Sequence, residues 1–348
     1  MLRNRVRAPA KTRLPSHPRT QPGEFDLIAR LCAPIPLGSR TILGPGDDCA
    51  ILSASRARIL FTIDSLVEGV HFDLRWIPLT ALGARALTVN LSDIAAMGGT
   101  PTACVVNLAI RDGISARMLD QIYAGLGTAA RAASTDIVGG NITRARQLSI
   151  TIALLGEAGH GDMRRDSARP GDDIFVTGTL GDAALGWRLL AGKLNARILA
   201  RANMKKYRVA KKFLVERFTS PDARLHAGQR LANLRPAPAA IDISDGLLQD
   251  LGHILERSGV GAEIDASRIP ISPAYRAIFG DDLTYALGGG EDYELLFCVR
   301  PGHSESQLIR RLGVAVRHIG KVVRGRRLKL VGAPAAKTAG WDQTRSRS

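Results

Sequence analysis

Carboxylates set in glycine-rich turns are the chemistry-bearing feature of this chain. Gly44-Pro45-Gly46-Asp47-Asp48 is a tight turn that delivers two adjacent acids. An aspartate pair in a stiff turn suits a cation better than a core. Taken alone, a solvated surface loop accounts for it equally well, but the device recurs. The apolar run from Arg58 to Ile63 has strand length and stops at Asp64. A second strand runs through Asp242 into the turn Ser244-Asp245-Gly246, and Gly288-Gly289-Gly290-Glu291-Asp292-Tyr293 precedes a third at Glu294 to Val299.

Asp93 belongs to a helix predicted over Leu79 to Met97. Leu82, Ala86, Val89, Asp93 and Met97 share one face of it, and Asn90 lies a turn away. A carboxylate on an apolar stripe is costly to bury without a metal, a cation or a hydrogen-bond network. His71 follows the Asp64 strand, though a lone histidine is more often structural than functional. Asp136 to Val138 reads as a strand running into a Gly139-Gly140-Asn141-Ile142-Thr143-Arg144 loop, whose free N–H groups could approach phosphate. Gly178 to Asp182 resembles a phosphate-cradling turn but lacks the Lys-Ser/Thr ending of a P-loop, and reads as structural. Ser244 or Asp245 would serve as a helix cap; capping leaves Asp242 unexplained.

No Cys or His cluster accompanies these acids, which argues against soft metals. Oxygen-only ligands suit Mg²⁺, which keeps several waters and is shared with substrate phosphates. Carboxylates in such number converge only around more than one cation. The residues therefore point to a Mg-dependent phosphoryl-transfer enzyme without a P-loop, its rate drawn from positioning and charge neutralisation.

The elements that must position these groups are those of an α/β protein. At 348 residues, with 45% hydrophobic residues, few aromatics and 36 glycines, the chain suits two domains with many turns. Residues 1–22 form a basic arm without an acid and are expected to be disordered, a plain extension in preference to a transit peptide. An N-terminal domain is expected over 23–158, with a helix at Ala116 to Ala133 carrying Tyr123 and a closing strand at Leu148 to Leu155. A C-terminal domain follows over 159–345, its motifs opening near Arg165. The net charge of +16 would attract nucleic acid, anionic membrane or a phosphorylated substrate. No nucleic-acid-binding motif accompanies it, which makes nucleic acid a poor candidate. The four scattered cysteines suit a reducing cytoplasm, and no apolar run is long enough to span a bilayer.

Six stretches together carry a family resemblance: Gly23-Glu-Phe25, Gly44 to Asp48, Asp64 to Phe72, Val89 to Gly98, Ile241 to Leu247 and Gly289 to Leu295. In this order they resemble the thiamine-monophosphate kinase family, over roughly residues 23–342. The resemblance implies transfer of the ATP γ-phosphoryl group onto thiamine monophosphate. It also implies the two-domain α/β (α+β) aminoimidazole ribonucleotide synthetase-like fold, with the N-terminal sheets of a homodimer paired into a barrel. It implies Asp48, Asp64, Asp93, Asp242 and Asp245 as Mg²⁺ ligands, with Thr62 helping and Asp47 a less certain partner; a monovalent cation is a further candidate. Gly140, Arg165, Ser244 and, as an additional candidate, Tyr123 would contact ATP. His71, Glu291 and Trp341 would contact the thiamine substrate, Trp341 offering a ring face to a cationic heterocycle. No residue stands out as a general base.

Two departures stand out. Asn141 occupies a position where the family usually has Asp, which removes one negative charge and leaves a neutral oxygen as metal ligand and ATP contact. Ile63 replaces a hydroxyl residue before Asp64. Other enzymes of the superfamily, such as a selenophosphate synthetase, would need a reactive cysteine near a Gly-rich N-terminal segment, where Cys32 and Cys49 do not fall. A basic nucleic-acid-binding protein is the alternative from another class; it predicts salt-dependent binding and no ATP turnover.

Overall fold

The computed structural model describes residues 24–45, 49–161, 163–194 and 204–332. Asp47, Asp48, Trp341 and the basic arm lie outside the described residues.

The N-terminal half runs α1 (Glu24–Cys32), β1 (Thr41–Leu43), β2 (Ile51–Leu52), β3 (Ile59–Val67), α2 (Leu79–Ala96), β4 (Thr100–Ile110), α3 (Ala116–Ala132), β5 (Asp136–Arg144) and β6 (Ser149–Glu157). Its main sheet has the order β3-β6-β4-β5, with β4 and β5 parallel and the other pairs antiparallel. Helices α2 and α3 cover one face. The alternating burial of β6 shows why: Ile150, Ile152 and Leu154 point at the helices and are fully or almost fully buried. Among the described residues, no helix covers the other face. Ile59, Phe61 and Ile63 on β3 are 71%, 70% and 62% exposed.

The C-terminal half contains β7 (Asp173–Thr177), α4 (Asp182–Leu190), α5 (Met204–Thr219), α6 (Leu225–Leu231), β8 (Ala239–Asp242), α7 (Leu247–Ser258), β9 (Gly261–Asp265), α8 (Pro273–Phe279), α9 (Thr284–Gly288), β10 (Leu295–Val299), α10 (Glu305–Leu312), β11 (Val316–Val323) and β12 (Leu328–Val331). Six strands form a mixed sheet in the order β12-β9-β11-β7-β10-β8. Both faces are covered. Ile174 and Val176 of β7 enter one core with Leu251 and Ile254 of α7, while Phe175 enters another with Phe297. Such double burial explains the near-continuous apolar runs of β7, β8 and β10.

One expectation fails here. The segment Gly139–Arg144 does not leave the sheet as a loop; β5 continues to Arg144, with Gly140 paired to Val106. A Cβ at Gly140 would collide with the Val106 carbonyl, so this glycine serves close strand pairing.

Candidate active site

Helix α2 brings the two halves together. Ser92 donates a 2.7 Å hydrogen bond to Asp242 Oδ2 at the end of β8. One residue on, Asp93 Oδ2 accepts a 2.5 Å hydrogen bond from Thr62 of β3. Thr62 and Asp64 alternate onto the same side of that strand, so β3, α2 and β8 deliver Asp64, Asp93 and Asp242 to one region. Asn90, on the same helix, is fully buried; its amide donates to the Ala86 carbonyl and its Oδ1 has no protein partner.

Burial raises the carboxyls of this region, and at Asp64 and Asp242 neighbouring acids add to it. Asp64 is exposed, yet the protein packed around it desolvates its carboxyl. Burial, followed by the charges of Asp93 and Glu291, pushes Asp64 up to about 6. Burial and then Asp93 push Asp242 up to about 7, against the Ser92 hydrogen bond. Asp93 is raised by burial, offset in part by Thr62 and the Arg165 guanidinium. Arg165 also opposes the rise at Asp242. Desolvated oxygen donors gathered in this way, with Arg165 as the cation that opposes the rise, form a site short of positive charge. That donor chemistry fits Mg²⁺.

Two turns complete the wall. Neither Ser244 nor Asp245 caps α7; Asp250 reaches back instead, its Oδ2 accepting the amides of Asp245 at 3.1 Å and Gly246 at 3.0 Å. The carboxylate of Asp245 is thereby spared capping, and its Oδ2 accepts from Gln249 at 3.2 Å. Burial, then Asp242 and Asp245, pushes Asp250 up to about 8. Asp245, Asp250 and His253 each place one ligand atom within 4.8 Å of the others. Against this turn packs the glycine loop. Gly290 lies so close to the Ser244 carbonyl that a Cβ would collide with it, and Glu291 N–H donates to that carbonyl at 2.8 Å.

The acidic motif after Gly290 divides between site and framework. Glu291 lies near enough to the carboxylate cluster for its charge to help push Asp64 up. Asp292 points away and takes the amides of Gly181 at 2.6 Å and Ala183 at 3.2 Å. An internal carboxylate thus occupies the helix terminus that resembled a phosphate cradle, in agreement with its structural reading. Glu294 is buried and takes Thr177, Arg217 and Arg224.

Arg85 was not singled out from the sequence. It is 0% exposed, and its guanidinium donates to the Phe218 carbonyl and to Glu291 Oε2. The available signal was its place on the α2 stripe: Leu82, Arg85, Val89 and Ser92 follow the helical spacing.

The remaining described candidates fall elsewhere on the N-terminal half. Tyr123, on α3, is packed in the core with Leu27 and Leu31 of α1, and burial pushes its hydroxyl far up. Gly140 shares a cross-strand row with Val106, Ile152 and Asp64. Three strand spacings of about 4.8 Å therefore separate Gly140 from Asp64 within one chain. Asn141 falls on the opposite, bare face, in a row with Asn107, Thr151 and Ser65, and donates to Asn107 Oδ1 at 2.8 Å. His71 follows β3, its Nδ1 accepting the Val67 amide at 3.1 Å, which leaves Nε2 as the protonated nitrogen of the neutral ring.

Comparison with known proteins gives the family and the fold. The models of the AIR synthase related protein N-terminal and C-terminal domains match residues 46–158 and 169–333. The thiamine-monophosphate kinase of Escherichia coli K12 is 38% identical over 304 residues, 86% of this chain and 87% of its own. The chain belongs to the thiamine-monophosphate kinase family. A solved structure of a family member from Stenotrophomonas maltophilia superposes with a TM-score of 0.77 at 37% identity, covering 90% of this chain and 98% of that one. Another, described as AaThiL complexed with AMPPCP and TMP, gives 0.71 at 32% identity, covering 92% and 96%.

Proposed function

We propose that this chain transfers the γ-phosphoryl group of ATP directly onto thiamine monophosphate, giving thiamine diphosphate. The observation that carries this reading is the joining of acids from both halves on α2, through Ser92–Asp242 and Thr62–Asp93. A relative of the same fold holding AMPPCP and TMP together supports the choice of substrates.

Thr62, Asp64, Asp93, Asp242 and Asp245, with Asp47 and Asp48, are the residues that would hold Mg²⁺. When bound, the ion neutralises phosphate charge in line with the transfer. Arg165 and Ser244 are assigned to the nucleotide, and His71, Glu291 and Trp341 to the thiamine portion. The acceptor is a phosphate that is already ionised, so no general base is required. Division of the chain near residue 158 gives each half one wall of the cleft.

A homodimer is part of this reading. The bare apolar face of β3, with Ile59, Phe61 and Ile63 exposed, suits a second copy of the sheet. Asn141, on that face, would join a metal and nucleotide site only across the interface, while Gly140 would offer the backbone of edge strand β5 to the nucleotide. All four cysteines are free, which supports the cytoplasm as the compartment; no helix among the described residues is long and apolar enough to cross a membrane. The test is incubation of the purified chain with ATP, Mg²⁺ and thiamine monophosphate, followed by chromatography of the thiamine esters. Thiamine diphosphate is expected; unchanged thiamine monophosphate across a range of Mg²⁺ would refute the assignment.

A further inference from the structure

The geometry points to Arg85 as a positioning residue that clamps one oxygen of Glu291 and so presents the other to the phosphate acceptor. This rests on the preceding reading that Glu291 contacts that acceptor.

Arg85 is a fully buried cation, and removing such a charge from water demands partners. Its guanidinium lies 4.3 Å from the centre of the Phe218 ring and bonds the Phe218 carbonyl on α5. Its remaining contact is Glu291 Oε2, which also accepts from the Tyr293 hydroxyl at 2.8 Å. Both donors therefore fall on a single oxygen. Among the described residues, Oε1 keeps its lone pairs for a bound molecule, and the Glu291 side chain is 27% exposed.

The backbone of this loop needs such a clamp. Glu291 and Tyr293 have φ values of 73° and 53°, in the left-handed region that side chains rarely adopt. Arg85 is anchored on α2, two helical turns before Ser92, so one helix registers Glu291 and Asp242 together. The pairing also sets the chemistry of recognition. A carboxylate already neutralised by a buried guanidinium selects a neutral N–H donor on the acceptor's heterocycle and adds no net charge to a cleft that must admit phosphate.

The test compares Arg85→Met, Arg85→Lys, Glu291→Gln and the double variant Arg85→Met/Glu291→Gln in the kinase assay. Arg85→Met is expected to raise KM for thiamine monophosphate about 10-fold or more while KM for ATP stays within about twofold. Arg85→Lys should recover part of the loss. On the Glu291→Gln background, Arg85→Met should add less than about twofold, since both act through one oxygen. A loss that adds in full, or that falls equally on ATP, would overturn the assignment in favour of a purely structural arginine. If Arg85→Met does not fold, Tyr293→Phe decides: it leaves Arg85 in place and should raise acceptor KM about threefold; an unchanged KM contradicts the clamp. If the wild type does not turn over thiamine monophosphate at all, the functional reading falls by itself. Amide exchange then decides on Arg85: Arg85→Lys should speed exchange at residues 289–294 and leave α7 unchanged, and equal protection of the loop in both proteins would refute the clamp.

Discussion

Ser92 and Asp242, separated by 149 intervening positions, meet through a 2.7 Å hydrogen bond between a helix of the N-terminal half and a strand end of the C-terminal half. Asp242 is only 4% exposed. The hydroxyl favours the ionised form of a carboxyl that burial and Asp93 push the other way. Removing it would leave the acid harder to ionise and would weaken the hold on Mg²⁺ proposed for Asp242.

Ser92→Ala is accordingly expected to raise the Mg²⁺ concentration for half-maximal rate several-fold and to cost about 1 kcal/mol of stability. A Mg²⁺ titration of the initial rate and a urea melt read the two effects. An unchanged Mg²⁺ requirement would separate Ser92 from the metal site.

The raised acids also give a pH signature. Asp64 and Asp242 stand at about 6 and about 7 in the folded chain, above the ordinary value of 3.8. Between 3.8 and about 7 the folded state therefore holds more protons than the unfolded one, so stability falls as pH rises through that window. Under the proposed metal site, Mg²⁺ would bind the ionised acids and counter the loss. Without Mg²⁺, the Tm should fall from about pH 5 to about pH 7.5; with saturating Mg²⁺ it should fall less. An equal Mg²⁺-induced shift at both pH values would contradict the linkage.

Much of this centre was legible in the residues, because strand ends and helix stripes are local patterns. Asp64, Asp93 and Asp242 declare themselves as acids where apolar periodicity runs out or is interrupted. What remained hidden depends on register and rotation. Asn141 differs from Gly140 by one step, and one step in a strand turns the side chain to the other face. Tyr123 lies on a correctly expected helix, but its direction toward Cys32 and Cys104 follows from packing alone. Glu291, Asp292 and Glu294 look alike in sequence; their separation into cleft, helix terminus and buried ion cluster arises from the positive φ at Glu291 and Tyr293.

Glu294 tests the framework half of that division. It is 1% exposed and holds Arg217 at 2.8 Å and Arg224 at 2.5 Å. Glu294→Ala would leave the part-buried Arg217 and Arg224 without the carboxylate they share, Arg224 keeping Asp222 at 2.7 Å, and should cost about 2 kcal/mol in chemical denaturation. A cost below about 1 kcal/mol would show that water or other acids replace it easily.

Phe61, 70% exposed on β3, tests the dimer. Phe61→Glu places a charge in the centre of the bare face and should halve the mass measured by analytical ultracentrifugation, with loss of activity if Asn141 acts across the interface. A wild type that sediments as a monomer would count against the paired sheets.

The central claim is direct phosphoryl transfer between two phosphates in a cleft built from both halves. The measurement that bears on it most directly follows label from [γ-³²P]ATP in the presence of Mg²⁺ and thiamine monophosphate. All label lost from ATP is expected in the terminal phosphate of thiamine diphosphate, one for each ADP formed, with none on the protein. Label released only as inorganic phosphate, or retained on the chain, would contradict it.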